Sequence, residues 1–214
     1  MILGVNITNY DVFEDECLGL MIENSAIKAG PEAKKEIRLR SLNALIGRNN
    51  TGKTSFLMAM SFVKRALNQG VSQASILDGR PGFSNLVMDK SKPSVFKIFF
   101  RLKDAKTSKS KFLQYEIAIK ANEFGSPEVV SEKVRCSIKG SGNPYESLEI
   151  IDIMSLEGGQ GFVMDKNGNK QEAAIGDLHL TALSVYGKIS LYEDLYQLYK
   201  EIDGWFFCRF SSGQ

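Results

Sequence analysis

The sequence predicts a mixed α/β chain: a strand, a glycine-rich loop and a helix, laid beside an antiparallel meander and followed by C-terminal helices. Three observations carry this. An apolar run at Ile37 to Ile46 ends in Gly47-Arg48-Asn49-Asn50-Thr51-Gly52-Lys53-Thr54, and Phe56, Leu57, Met60, Val63 and Leu67 then recur at helical spacing up to Gly70. Three later segments alternate with period two: Val95 to Leu102, Phe112 to Lys120 and Val129 to Ile138. Their short polar connections, including the lysine-rich 103–111, fit antiparallel neighbours.

The remaining elements follow in order. Ile2 to Thr8 alternates and predicts an opening strand, with a second at Leu18 to Ile22. The polar stretch 23–36 contains Gly30-Pro31 and predicts a loop or hairpin tip, leading into a buried strand at Ile37 to Ile46. Beyond the meander, Ser147 to Met154 predicts a further strand and Phe162 to Ala174 a hairpin turning at Asn167-Gly168. Asp177 to Tyr186 and Ser190 to Ile202 predict two helices separated by Gly187, and the change of character places a soft boundary near residue 175. The reading is thus a nucleotide-binding lobe over 1–175 and a helical segment over 176–214.

Composition narrows the function classes. The 214 residues can bury one substantial core, and Lys+Arg 27 against Asp+Glu 25 leave a net charge of +2, too small for a whole-molecule field toward nucleic acid or membrane. Cys17, Cys136 and Cys208 are few, odd in number and far apart, which opposes a disulfide framework and points to the cytoplasm. Every apolar run is interrupted well before the roughly 18 to 20 residues a membrane-spanning helix needs. His179 is the single histidine, so sites built on two imidazoles are excluded within one chain.

The strongest chemical signal is the segment Gly47 to Thr54, which fits G-x-x-x-x-G-K-[ST] between a predicted strand and helix. Glycines at both ends let backbone N–H groups converge, and the helix adds the partial positive charge of its N-terminus, together a seat for a di- or triphosphate. Lys53 is placed to reach the β- and γ-phosphates and is the candidate catalytic residue, while Thr54 is the candidate Mg²⁺ ligand. Gly47, Arg48, Asn49, Asn50, Thr51, Gly52 and the spare hydroxyl of Ser55 complete the candidate nucleotide site. The opposing reading is a chance glycine turn before a helix.

Other motifs are weaker. Asp165-Lys166-Asn167-Gly168 and Asn169-Lys170-Gln171-Glu172 imitate two GTPase motifs, but they abut and read as a tight hairpin turn. Leu148 to Ile153 is the nearest candidate for a metal-binding carboxylate strand, yet Glu149 interrupts it and Ile153 stands where a second acid is expected, so a half-exposed strand is favoured. Phe210-Ser211-Ser212-Gly213-Gln214 resembles an S-x-G-Q signature, or is a plain polar loop. Lys103, Lys106, Lys109 and Lys111 form a basic segment able to touch a phosphate backbone, but without interleaved aromatics a solvated tip is favoured. Tyr10 and Phe13 either flank a base or pack in the core, His179 reads as a polar residue on the penultimate helix, and Tyr192, Tyr196 and Tyr199 read as a core stripe rather than an interface.

With the loop, the antiparallel segments and the opening Ile2-Leu3-Gly4-Val5-Asn6-Ile7-Thr8-Asn9-Tyr10 in view, the chain resembles the N-terminal part of an ABC-type P-loop ATPase. The likeness is to the SMC, RecF and OLD group, and closer still to bacterial AAA-family (AAA_21) ATPases. Leu42-Asn43-Ala44-Leu45-Ile46, Gly82 to Val87 and Gly204-Trp205-Phe206-Phe207 add to the likeness. It implies an ABC-ATPase-like N-terminal lobe, ATP and Mg²⁺ as ligands, and a head-to-head homodimer. It also implies Walker B, signature and switch residues lying further toward the C-terminus, and DNA or an effector such as a nuclease as partner. The function expected is an ATP-binding head that hydrolyses once a C-terminal lobe is present. The alternative is a nucleotide-sensing module that recruits an effector without turnover.

Overall fold

The structure, a computed structural model, describes residues 1–22, 39, 43–48, 51–103, 110–138 and 149–207. Its centre is an eight-stranded sheet in the order β2-β1-β3-β4-β5-β6-β7-β8. The strands are β1 (Ile2–Tyr10), β2 (Phe13–Gly19), β3 (Ser94–Lys103) and β4 (Ser110–Ala121), then β5 (Pro127–Ile138), β6 (Glu149–Glu157), β7 (Gln160–Met164) and β8 (Lys170–Ala174). Every pairing between neighbours is antiparallel. Helix α1 (Lys53–Ala74) and the shorter α2 (Ala182–Tyr186) and α3 (Glu193–Asp203) contribute to the core that forms on one sheet face.

This overturns the predicted α/β class with an ABC-ATPase-like lobe: the sheet has no parallel core. The described residues of the predicted buried strand before the loop, 39 and 43–46, are in no strand, and Ile46 is 92% exposed. Both edges of β1 are occupied, by β2 and β3, so a strand entering the loop has no central place beside it. The polar stretch 23–36, Phe210 to Gln214 and Cys208 lie outside the described residues.

The meander stands where period two placed it, and the hairpin turns at Asn167-Gly168 as expected. Asp165 shapes that turn by accepting from Asn167 N at 2.8 Å and Asn169 N at 2.9 Å, a structural duty rather than a GTPase one. The second strand is Phe13–Gly19, not Leu18 to Ile22. Its exposed Glu14, Asp15 and Glu16 make it a charged edge strand, which apolar alternation does not reveal. The first predicted C-terminal helix shrinks to Ala182–Tyr186. Asp177 Oδ1 accepts from His179 N at 2.9 Å, and Thr181, with a β-region backbone, caps α2 by accepting from Ser184 N at 3.1 Å. His179 therefore precedes the helix instead of lying on it.

α1 buries Ala59, Met60, Phe62, Val63, Ala66 and Leu67, spacings that put one apolar stripe against the sheet. Phe62 packs on Phe96 at 5.5 Å and on Tyr10 at 5.4 Å between ring centroids. The helix breaks at Gly70, whose φ of 82° few other residues adopt, and Val71 N instead donates to His179 O at 2.8 Å. Tyr192 and Tyr199 are buried in the core, while Tyr196 is 40% exposed. On the opposite sheet face, Glu116 is 2.8 Å from Arg135 and 3.5 Å from Lys97, and a smaller cluster of Leu3, Leu20, Met21, Ile22 and Phe99 forms.

Asn9 ties the 86–94 connection to β1. It is 6% exposed with a φ of 54°, a left-handed conformation that Asn tolerates better than most residues. Its Nδ2 donates to Asp89 O at 2.9 Å and Lys92 O at 3.0 Å, and its Oδ1 accepts from Met88 N at 3.1 Å and Asp89 N at 2.8 Å. Asn9→Ala strands these backbone groups, and urea denaturation should register a loss of about 2–3 kcal/mol. A change within about 0.5 kcal/mol, the range typical of an unimportant surface substitution, would show that the connection holds without Asn9.

Candidate functional site

The loop and the first turn of α1 form the candidate site. Gly52 is the N-cap of α1 with a φ of 82°, and a Cβ there would sit 3.3 Å from Val12 Cγ2, so glycine meets both the backbone and the space requirement. The helix then starts at once, with Phe56 N donating to Gly52 O at 2.9 Å. That leaves the amides of Lys53, Thr54 and Ser55 without partners within the helix ladder.

Two features make this N-terminus receptive to an anion. Its N-cap, Gly52, has no side chain to cap with and no acidic residue stands in its first turn, while its first residue is the cation Lys53. A cation at the positive end of a helix dipole costs roughly 0.3–1 kcal/mol near the surface. Neither propensity nor capping explains that choice of residues, whereas a bound phosphate reverses the sign of the interaction.

Lys53 Nζ turns back into the loop. It donates to Gly47 O at 2.6 Å and to Arg48 O, and lies 3.3 Å from Thr51 Oγ1, which itself donates to Arg48 O at 2.9 Å. The described loop residues Gly47, Arg48 and Thr51 thus gather around an ammonium. Thr54 is exposed on the first turn and Ser55 half-buried beside it, while Asn49 and Asn50 lie outside the described residues. The structure therefore brings Gly47, Arg48, Thr51, Gly52 and Lys53 together, with Thr54 next along the helix.

The β1–β2 turn flanks the loop. Phe13 is half-buried, with ring atoms 3.6 Å from where a Gly52 Cβ would be. Tyr10, its partner in the base-flanking reading, instead belongs to the core at 1% exposure. Burial pushes its phenol up to about 12, with the Arg80 guanidinium pulling the other way. Val12, 57% exposed beside Gly52, was not singled out by sequence, because nothing local to a turn residue tells which loop it will meet.

The other candidate groups lie elsewhere. Lys111 is bound to Asp194 at 2.5 Å, Lys103 ends β3, and Lys106 and Lys109 lie outside the described residues. The Lys111–Asp194 pair lines a cleft of about 470 Å³ with Phe112, Cys136, Ile151 and Met164, and the cleft shares no residue with the loop. Burial pushes the Cys136 thiol up to about 11, Asp194 adding to the rise, so it is no nucleophile at neutral pH. β6 forms where the carboxylate strand was sought, with Ile153 buried. Among the described residues, no group of three or more His, Cys, Asp or Glu is placed to hold a metal ion, and no helix is long and apolar enough to cross a membrane.

No family model matches the chain, and neither a curated protein nor a solved structure does.

Proposed function

We propose that the loop 47–54 binds the phosphates of ATP, with Mg²⁺ bound alongside. The observation that carries the reading is the acid-free N-terminus of α1, opened by Gly52, with Lys53 folded into the preceding loop. Phosphate oxygens would accept from the Lys53 ammonium in exchange for the loop carbonyls it now contacts, and from the unpaired amides of the first turn. The exchange keeps the lysine's hydrogen bonds in number but replaces neutral acceptors with charged ones, which strengthens each of them.

Thr54 fits a Mg²⁺ role. Its side chain is exposed on the turn that follows Lys53, and a Mg²⁺ ion takes only one or two protein ligands when nucleotide phosphates and waters supply the rest. The ion would offset phosphate charge, while Lys53 orients the terminal phosphates. Phe13 beside Gly52 offers one aromatic surface for the base. The reading is of a binding site. Hydrolysis, a homodimer of heads, DNA and an effector remain what the ATPase likeness suggests, and the described residues add no group to any of them.

Calorimetric titration with ATP tests the proposal. Lys53→Ala should weaken binding by tenfold or more with or without Mg²⁺, since it removes the one cation folded into the loop. Thr54→Ala should weaken binding only when Mg²⁺ is present, because the lysine and the helix amides stay in place. Absence of saturable ATP binding to the unmodified protein would overturn the proposal, and equal, magnesium-independent losses would remove Thr54 from the metal.

A further inference from the structure

We propose that Glu132 is a proton-sensitive clasp holding segment 177–186 against the sheet and α1, closed most firmly when its carboxyl is protonated and loosened when it is ionised. Glu132 points from β5 to the core face and is 2% exposed. Its Oε1 accepts from Leu183 N at 2.8 Å and from the Tyr115 hydroxyl at 3.0 Å, and its Oε2 accepts from Ala182 N at 2.5 Å. One side chain of the sheet thus gathers the first turn of α2.

The same segment reaches β5 and α1 by other bonds. Leu178 O accepts from Val129 N at 2.8 Å and His179 O from Val71 N at 2.8 Å, while His179 Nδ1 lies 2.9 Å from Ser72 Oγ. Loosening the segment therefore loosens the end of α1 beyond Gly70 as well.

The surroundings set the direction of the switch. Beside Glu132 is a small cavity of about 10 Å³ lined by Ser131 and by the apolar Val129, Leu156, Ile175, Leu178 and Leu180. Tyr115 of β4 is the titratable group that faces Glu132. On β5 itself, Lys133 and Arg135 alternate to the opposite face, Arg135 against Glu116. On the segment, Asp177 is exposed and caps His179 N, and His179 turns its Nδ1 to Ser72 and to Pro127 O. Glu157 at the end of β6 is exposed.

An ionised carboxylate in this place loses its hydration and gains no counter-charge from these groups. Burial accordingly pushes Glu132 from 4.5 up to about 7, against the pull of the Leu183 and Ala182 amides and the Tyr115 hydroxyl. A proton on Glu132 can be accommodated without moving heavy atoms. The carboxyl then donates to the Tyr115 oxygen, which reverses the hydrogen bond between them.

Linkage fixes the sign. When the segment opens, water reaches the carboxyl and its proton affinity returns to the ordinary carboxylate range, so the closed state binds the proton more tightly. The stabilisation of closure is complete below about 4.5 and is lost as pH rises through about 7. The open fraction then rises by at most about tenfold per pH unit in that window and is level above it.

Amide exchange followed by NMR from pH 5 to 8, with each rate divided by its intrinsic value, tests this on the whole chain. The opening equilibrium at Val71, Ala182 and Leu183 should rise together by tenfold or more between pH 5 and 7 and then level off, and Glu132→Gln should flatten it. If Glu132→Gln does not fold, the carbon-13 shift of the Glu132 carboxyl in the unmodified protein decides, with a midpoint near 7 expected. Exchange independent of pH, the same dependence in Glu132→Gln, or a midpoint in the ordinary carboxylate range would each overturn the clasp. No nucleotide enters the experiment, so its outcome is separate from that of the ATP reading.

Discussion

The packing of α1 on the aromatic face of the sheet is the contact on which the rest depends. Phe62 lies between Tyr10 of β1, Phe96 of β3 and Phe83 of the following connection, and the residues that flank it on the stripe include the small Ala59 and Ala66. Removing such a buried ring costs about 3–5 kcal/mol, a large share of the 5–15 kcal/mol that holds a typical domain together. The same helix carries the loop at one end and meets segment 177–186 beyond Gly70 at the other. Its position in the core therefore sets where the candidate loop and segment 177–186 stand.

What the sequence made legible follows from which physical signal each element emits. Strands half-buried in an antiparallel sheet emit period two, and β3, β4 and β5 were readable for that reason. β2 emits none, because a charged edge strand has no buried face to mark. The apolar run ending at Ile46 emits the pattern of a buried strand, but apolarity does not name a partner, and this sheet offers no parallel neighbour for it. The fold class failed at that step.

The candidate site was legible only in part. Glycine spacing and Lys53 picked out the loop, since few sequences combine them by chance. Asn9 and Glu132 escaped because their importance is tertiary. A parity count back from Val134 and Cys136 would have turned Glu132 inward. A register shift opposite Ala118 and Ile119 breaks that parity further along, leaving Val129 buried and Val130 exposed. Glu132 shares the parity of Val134 and Cys136, but an acid in an apolar series reads as an interruption rather than as a core residue.

α1 joins the sheet and the C-terminal helices into one core. Trp205, the single tryptophan, is a direct reporter, since it stacks on Phe100 of β3 at 6.1 Å and accepts a hydrogen bond from Lys64 of α1 at its carbonyl. Urea unfolding followed at once by Trp205 fluorescence and by far-ultraviolet circular dichroism tests the claim. Coincident transitions with one midpoint are expected. A tryptophan transition complete at lower urea than the loss of secondary structure would contradict it, and would separate the C-terminal helices from the core that α1 shares with the sheet.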